Sequence, residues 1–194
     1  NANTGVQNTT SWDTSGGTAA FVTSVYDAIE QTATTYSGAS LLVGQELQLD
    51  VASGSAGGSQ DIGLYVGGLQ PTFNLRSTYV SIYVRNNGEL YSRGFNGTSE
   101  LTLVGGATPT FDKLFIARTD TNDYELGYYD GATRTVFATR TGMTNNDADF
   151  IGLYTDVRAA GTLRAVDNLV VIPEPSAALL GGLGLLGLLR RRRA

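Results

Sequence analysis

With 194 residues, 25 of them glycine and only 16% charged, the chain is long enough for one domain with its own core and has a turn-rich, strand-favouring composition. It contains neither Cys nor His, which excludes thiol nucleophiles, His-based triads, structural zinc and His-ligated metal centres. The formal net charge is −5, and without Arg190, Arg191, Arg192 and Arg193 nine basic residues face eighteen acidic ones, a body of −9 that argues against nucleic acid and against electrostatic docking on anionic lipid.

The sequence opens at Asn1 with neither Met nor a basic-then-apolar leader, as expected of a mature or truncated form of an exported precursor. Early strands are predicted at Val22–Tyr26 and Thr32–Tyr36, although Val25–Ala33 also suits a short helix. From Leu47 onward the pattern is period two, the mark of strands whose alternate side chains face opposite sides of a sheet. It predicts strands over Gln45–Val51 and Ile62–Val66. In Thr78–Arg85, Val80, Ile82 and Val84 share one face and Tyr79, Ser81, Tyr83 and Arg85 the other. Asn87-Gly88 then predicts a two-residue primed turn into Glu89–Phe95. A meander follows at Lys113–Thr119, Tyr124–Tyr129 and Thr135–Thr139, joined by the turn chemistries Asp120-Thr121-Asn122-Asp123 and Asp130-Gly131-Ala132. Phe150–Thr155 and Leu163–Ile172 complete the series. So many short strands without alternating helices define an all-β protein, an antiparallel β-sandwich of jelly-roll type, over residues 1–172.

At Pro173 the composition changes. Pro173-Glu174-Pro175-Ser176 leads into Ala177–Leu189, thirteen residues without a charge, and then into Arg190–Arg193. Residues 173–194 therefore read as a second unit, a short hydrophobic helix with a basic end. As a helix the apolar run is about 20 Å long, against a hydrocarbon core of about 30 Å. Its arginines are expected to stay cytoplasmic, with their stems snorkelling to the headgroups.

The order Pro-Glu-Pro, short apolar helix, Arg-rich end closely resembles the PEP-CTERM sorting signal, although Val171-Ile172 departs from the more frequent Val-Pro-Glu-Pro run. The resemblance implies an exosortase-type membrane protease as partner and transient insertion in the inner membrane of a Gram-negative bacterium. It further implies loss of the tail and delivery to the cell surface or an extracellular polysaccharide matrix. Within the body, Phe111-Asp112-Lys113-Leu114-Phe115-Ile116-Ala117-Arg118, Tyr124-Glu125-Leu126-Gly127-Tyr128-Tyr129-Asp130-Gly131 and Val166-Asp167-Asn168-Leu169-Val170-Val171 resemble the laminin-G-like or concanavalin-A-like jelly rolls of bacterial surface proteins.

Three constellations are candidates for function. Glu46, Gln48 and Asp50 share one strand face. They are similar to the Glu, Asp, Glu series of laminarinase-type glycoside hydrolases, but Gln48 replaces the middle carboxylate. Residues four apart on a strand also lie about 13 Å apart, beyond the ~5 Å of a retaining pair. A hydrolase using Glu46 and Asp50 stands against an ordinary polar strand face. Asp120, Asn122 and Asp123, and separately Asn145, Asn146, Asp147 and Asp149, offer oxygens for Ca²⁺ without the EF-hand spacing, and equally suit turns. Tyr79, Tyr83 and Tyr129 are candidate platforms for sugar rings. Asn8-Thr9-Thr10 and Asn96-Gly97-Thr98 match glycosylation sequons. The expectation is an exported protein without catalysis or a required cofactor, binding carbohydrate or acting in adhesion. A glycan hydrolase and a structural matrix component associating through sheet edges remain as alternatives.

Overall fold

The computed structural model describes residues 10–13, 19–23, 30–35, 40–54, 60–68, 78–144, 148–157 and 161–173. Among them run fourteen strands: β1 (Thr10–Asp13), β2 (Ala19–Thr23), β3 (Glu30–Thr35), β4 (Gln45–Val51), β5 (Gln60–Gly67), β6 (Tyr79–Val84), β7 (Leu90–Asn96), β8 (Ser99–Glu100), β9 (Val104–Ala107), β10 (Lys113–Asp120), β11 (Asp123–Asp130), β12 (Thr133–Arg140), β13 (Phe150–Val157) and β14 (Gly161–Pro173). They form two sheets, ordered β1-β2-β14-β4-β10-β11-β12 and β3-β13-β5-β6-β7-β8, with β9 also on β7. All the pairings are antiparallel. The protein is an all-β sandwich, as its alternation predicts. The hydrophobic helix expected at 177–189 lies outside the described residues.

The core follows from the period of two. Leu47, Leu49 and Val51 of β4, Leu114 and Ile116 of β10 and Leu126 of β11 point inward from the first sheet. Ile62, Leu64 and Val66 of β5 and Val80, Ile82 and Val84 of β6 meet them from the second, all of them buried. At about 1.5–3 kcal/mol for each buried aliphatic side chain, a one-residue slip would forfeit most of the core, and this fixes the register.

Several boundaries differ from the sequence reading. β1, β8 and β9 are too short to show alternation, and β2 begins three residues before the predicted strand. Glu30–Ala33 belong to β3, which removes the helix alternative there; residues 24–29 lie outside the described ones. Between β6 and β7 the expected two-residue turn is a three-residue one. Arg85 N donates to Glu89 O (2.9 Å) and Gly88 N to Arg85 O (3.0 Å), with Gly88 at φ +87°. Asn87 accepts from Glu89 N instead of sitting at a primed position. The glycine thus supplies the left-handed residue that closes a longer loop.

β14 shifts register against β4 between Asp167 and Val170, where Asn168 adopts φ +49°. After this bulge the ladder resumes with Val171 opposite Leu47, Ile172 opposite Glu46 and Pro173 opposite Gln45. The last three residues of β14 are therefore part of the sandwich.

Candidate functional site

With Leu47, Leu49 and Val51 turned into the core, alternation sends Glu46, Gln48 and Asp50 to the outer face of the first sheet. The register sets Ala117, Phe115 and Lys113 of β10 beside them. Glu125, Gly127 and Tyr129 of β11 come next, and Arg134 of β12 lies opposite Tyr129. Four strands thus share one polar strip.

Glycine is essential to its geometry. A Cβ on Gly127 would lie 2.7 Å from the Phe115 ring, so the ring fills the space that the missing side chain leaves. Arg134 stacks on that ring with its Cζ 4.1 Å from the centroid, and Tyr129 meets it edge-on at 5.4 Å. From there Arg134 reaches β4: Nε donates to Glu46 Oε2 at 3.0 Å and Nη1 to Glu125 Oε2 at 2.9 Å. Glu46 Oε1 also accepts from Gln48 Nε2 (2.7 Å) and Tyr129 Oη (2.8 Å). The Glu46 carboxylate is fully buried, and three donors satisfy it, as a charge in that position requires.

Toward solvent the strip stays polar. Lys113 Nζ donates to Gln48 Oε1 at 3.3 Å and pairs with Asp50 Oδ1 at 3.3 Å. Asn168 Nδ2, carried by the β14 bulge, donates to Asp50 Oδ2 at 2.7 Å. The side chains of Arg134, Lys113, Glu125 and Asp50 are 27%, 32%, 34% and 35% exposed, enough to present hydrogen-bonding edges while held in place by their neighbours. At the Asp50 end the strip opens into a cleft of about 360 Å³ between Asp50, Ser53, Phe111, Asp112, Val166 and Asp167.

Burial, reinforced by the Glu46 carboxylate to which it donates, pushes the Tyr129 phenol up to about 12. On the other sheet, burial and the nearby Asp61 carboxylate push Tyr83 up to about 12. For Arg134, burial works against the charge, but hydrogen bonds to Glu125 and Glu46 outweigh it and raise the pKa. Because the folded phenols ionise later than their ordinary value of 10.0, their contribution to stability holds below about pH 10. It is lost between about pH 10 and 12, the interval over which the unfolded phenols ionise while the folded ones do not yet. Phenolate absorbance in the folded protein should rise in two phases, the later one diminished in Tyr129→Phe; a single phase near pH 10 would contradict the packing.

The expected sugar platforms do not come together. Tyr129 lies on the outer face of the first sheet, whereas Tyr79 and Tyr83 lie on that of the second. The premise that their rings are open is corrected: Tyr79 is 0% and Tyr83 2% exposed. They belong to an aromatic cluster with Tyr65, Phe95 and Tyr154. Its packing again depends on glycine. Tyr154 and Tyr83 stand on either side of Gly63 in the register, and across that gap their ring centroids approach to 5.0 Å. Tyr65 stacks on Tyr79 at 5.3 Å, and Arg85 covers Tyr91 at 3.8 Å. The signal was in the sequence: β5 reads QDIGLYVG and β6 YVSIYV, with bulky side chains on both faces, the pattern of strands buried on both sides.

The Asp120–Asp123 cluster forms the β10–β11 turn. Asp120 Oδ1 accepts from Thr121 N at 2.6 Å and Asp123 Oδ1 from Gly142 N at 2.9 Å. The Asn122 amide donates to Met143 O at 2.8 Å. The oxygens close the turn and tie it to Gly142 and Met143, and among the described residues no three acidic, His or Cys side chains converge on a metal position. Asn145, Asn146 and Asp147 lie outside the described residues, and Asp149 is exposed.

Two antiparallel sheets packed face to face define a β-sandwich, and two solved structures are similar to it. The chain superposes on a protein of unknown function with a galectin-like fold from Bacillus subtilis with a TM-score of 0.58, at 8% identity, covering 89% of this chain and 88% of that one. The Ca²⁺/Man-bound exoplasmic/lumenal domain of VIP36 gives a TM-score of 0.56 at 10% identity, covering 87% and 82%. At such identities the likeness concerns the fold alone. The PEP-CTERM protein-sorting motif matches residues 171–193, so the chain carries the C-terminal membrane-anchoring signal of an exported protein. No curated protein sequence matches the chain. The motif contains Pro173, Glu174, Pro175 and Arg190–Arg193; of these, Pro173 is described, at the end of β14.

Proposed function

We propose that this is a non-catalytic carbohydrate-binding module, sorted by an exosortase-type protease to the surface or polysaccharide matrix of a Gram-negative bacterium, with its body over 1–172 and its sorting tail over 173–194. The observation that carries the binding reading is the strip of preordered donors and acceptors around Lys113, Asp50, Glu125 and Arg134, which leads into the 360 Å³ cleft. Sugar hydroxyls need such alternating partners, and groups already held in place lose little freedom when they bind. That the VIP36 domain of the same fold was solved in Man-bound form supports the ligand class. The absence of turnover is supported by Glu46, whose oxygens are buried and occupied by Gln48, Tyr129 and Arg134, so that it offers no acid or nucleophile to a glycosidic bond.

The test is a glycan array with the full chain in detergent, followed by titration of any hit and assay of reducing ends. Saturable binding without product is expected. Replacing the half-exposed Lys113 and Glu125 by Ala should weaken it roughly tenfold or more, since each hydrogen bond to a charged group contributes about 1.5–3 kcal/mol. Release of reducing sugar would favour a hydrolase, and affinity unchanged in the double variant would remove the strip from the site.

A further inference from the structure

We infer that the turn carrying Leu42 and Val43 is a lipid-contacting tip, which settles into the interfacial zone of the bilayer when the sorting tail is inserted. The inference rests on the tail being membrane-inserted, as the sorting motif implies.

The turn is tied down by hydrogen bonds and its apolar content is on the outside. Leu41 is fully buried, with its N–H donating to Ala148 O (2.9 Å) and its carbonyl accepting from Arg118 Nη1 (2.8 Å). Gln45 N donates to Leu42 O (3.1 Å), Gln45 Oε1 accepts from Leu42 N (2.9 Å), and Gly44 takes φ +77°. A tight turn pinned at both ends would ordinarily be polar. Here its two leading side chains are apolar and point away from the core, Leu42 58% and Val43 51% exposed. They are two of the five large hydrophobic side chains exposed among the described residues.

Their position identifies the partner. Gln45, the last residue of the turn, is the ladder partner of Pro173. From Pro173 only Glu174, Pro175 and Ser176 precede the uncharged run that begins at Ala177. Four residue steps span at most about 14 Å even when fully extended. A membrane holding that run is therefore within reach of the Leu42–Val43 tip, whose turn ends at Gln45, one strand spacing from Pro173. The opposite end of the sheet, where Gly131 and Ala132 join β11 to β12, lies about 20 Å further away.

The contact is apolar, not electrostatic. The body carries excess acid, and Asp120 and Asp123 lie in the hairpin at the same end. The tip therefore suits a zwitterionic surface better than an anionic one.

The cysteine-free sequence permits one fluorophore per variant in the full chain, reconstituted in phosphatidylcholine vesicles. Environment-sensitive labels are placed at Val43→Cys, at Ala178→Cys in the tail and at Ala132→Cys on the far end. Blue-shifted emission and quenching by brominated lipid are expected at 43 and 178 and not at 132. Adding Leu42→Ser should shift the docking equilibrium read at 43 roughly tenfold toward the aqueous state, and phosphatidylglycerol should weaken it. A buried label at 178 with an aqueous one at 43 overturns the docking tip and leaves the tail reading intact. An aqueous label at 178 overturns both. Quenching at 132 as well would mean unspecific adsorption and equally overturn the inference.

Discussion

Gly63→Ala is expected to destabilise the sandwich by about 3 kcal/mol or more, lowering the melting temperature by roughly 10 °C for a domain of this size. A Cβ at position 63 would lie 1.9 Å from Ile82 O and 2.5 Å from Tyr83 Cα. Both are backbone atoms of the neighbouring strand, so no rotamer change relieves the overlap. Either β5 separates from β6, with loss of ladder bonds between Ile62 and Val84, or the pair twists and carries Tyr83 away from Tyr154. Urea denaturation of the variant measures the cost. An unchanged midpoint would mean that the two strands do not pack as described.

Arg134→Met should cost about 3–5 kcal/mol, an effect out of proportion to a half-exposed side chain. The reason is the partner it leaves behind: the Glu46 carboxylate has no exposed surface and would keep only Gln48 and Tyr129 as donors. Removing one member of a buried pair strands the other charge, whereas replacing both by apolar side chains is often close to neutral. The double variant Glu46→Leu, Arg134→Met should therefore recover most of the loss. If Arg134→Met alone melts like the parent protein, Arg134 is not what satisfies the buried Glu46 beneath the strip, and the preordering invoked for ligand binding goes with it.

How far the sequence could be read depended on the range of the interactions. β4, β6, β10 and β11 were legible because a buried face imposes alternation along the chain itself. Glu46, Gln48 and Asp50 could be assigned to one face for the same reason. What surrounds that face was not legible. Arg134 is 88 residues from Glu46, and nothing local marks it as the side chain that reaches it across β11 and β10. Gly127 reads as a mere weakness in a strand until Phe115 is seen to occupy its space. Tyr79 and Tyr83 were assigned to the correct side of β6, but whether that side is wet depends on more than β6. For Asp120, Asn122 and Asp123 local chemistry is ambiguous: the oxygens that could ligate a cation are the ones a tight turn uses to bind its own backbone.

The pairing of Pro173 with Gln45 bears on maturation. Backbone held in a sheet is withheld from proteolysis, so the ladder with β4 covers the peptide bonds of Val171, Ile172 and Pro173. Val171, Ile172 and Pro173 thus lie both within the sorting motif and within the sandwich.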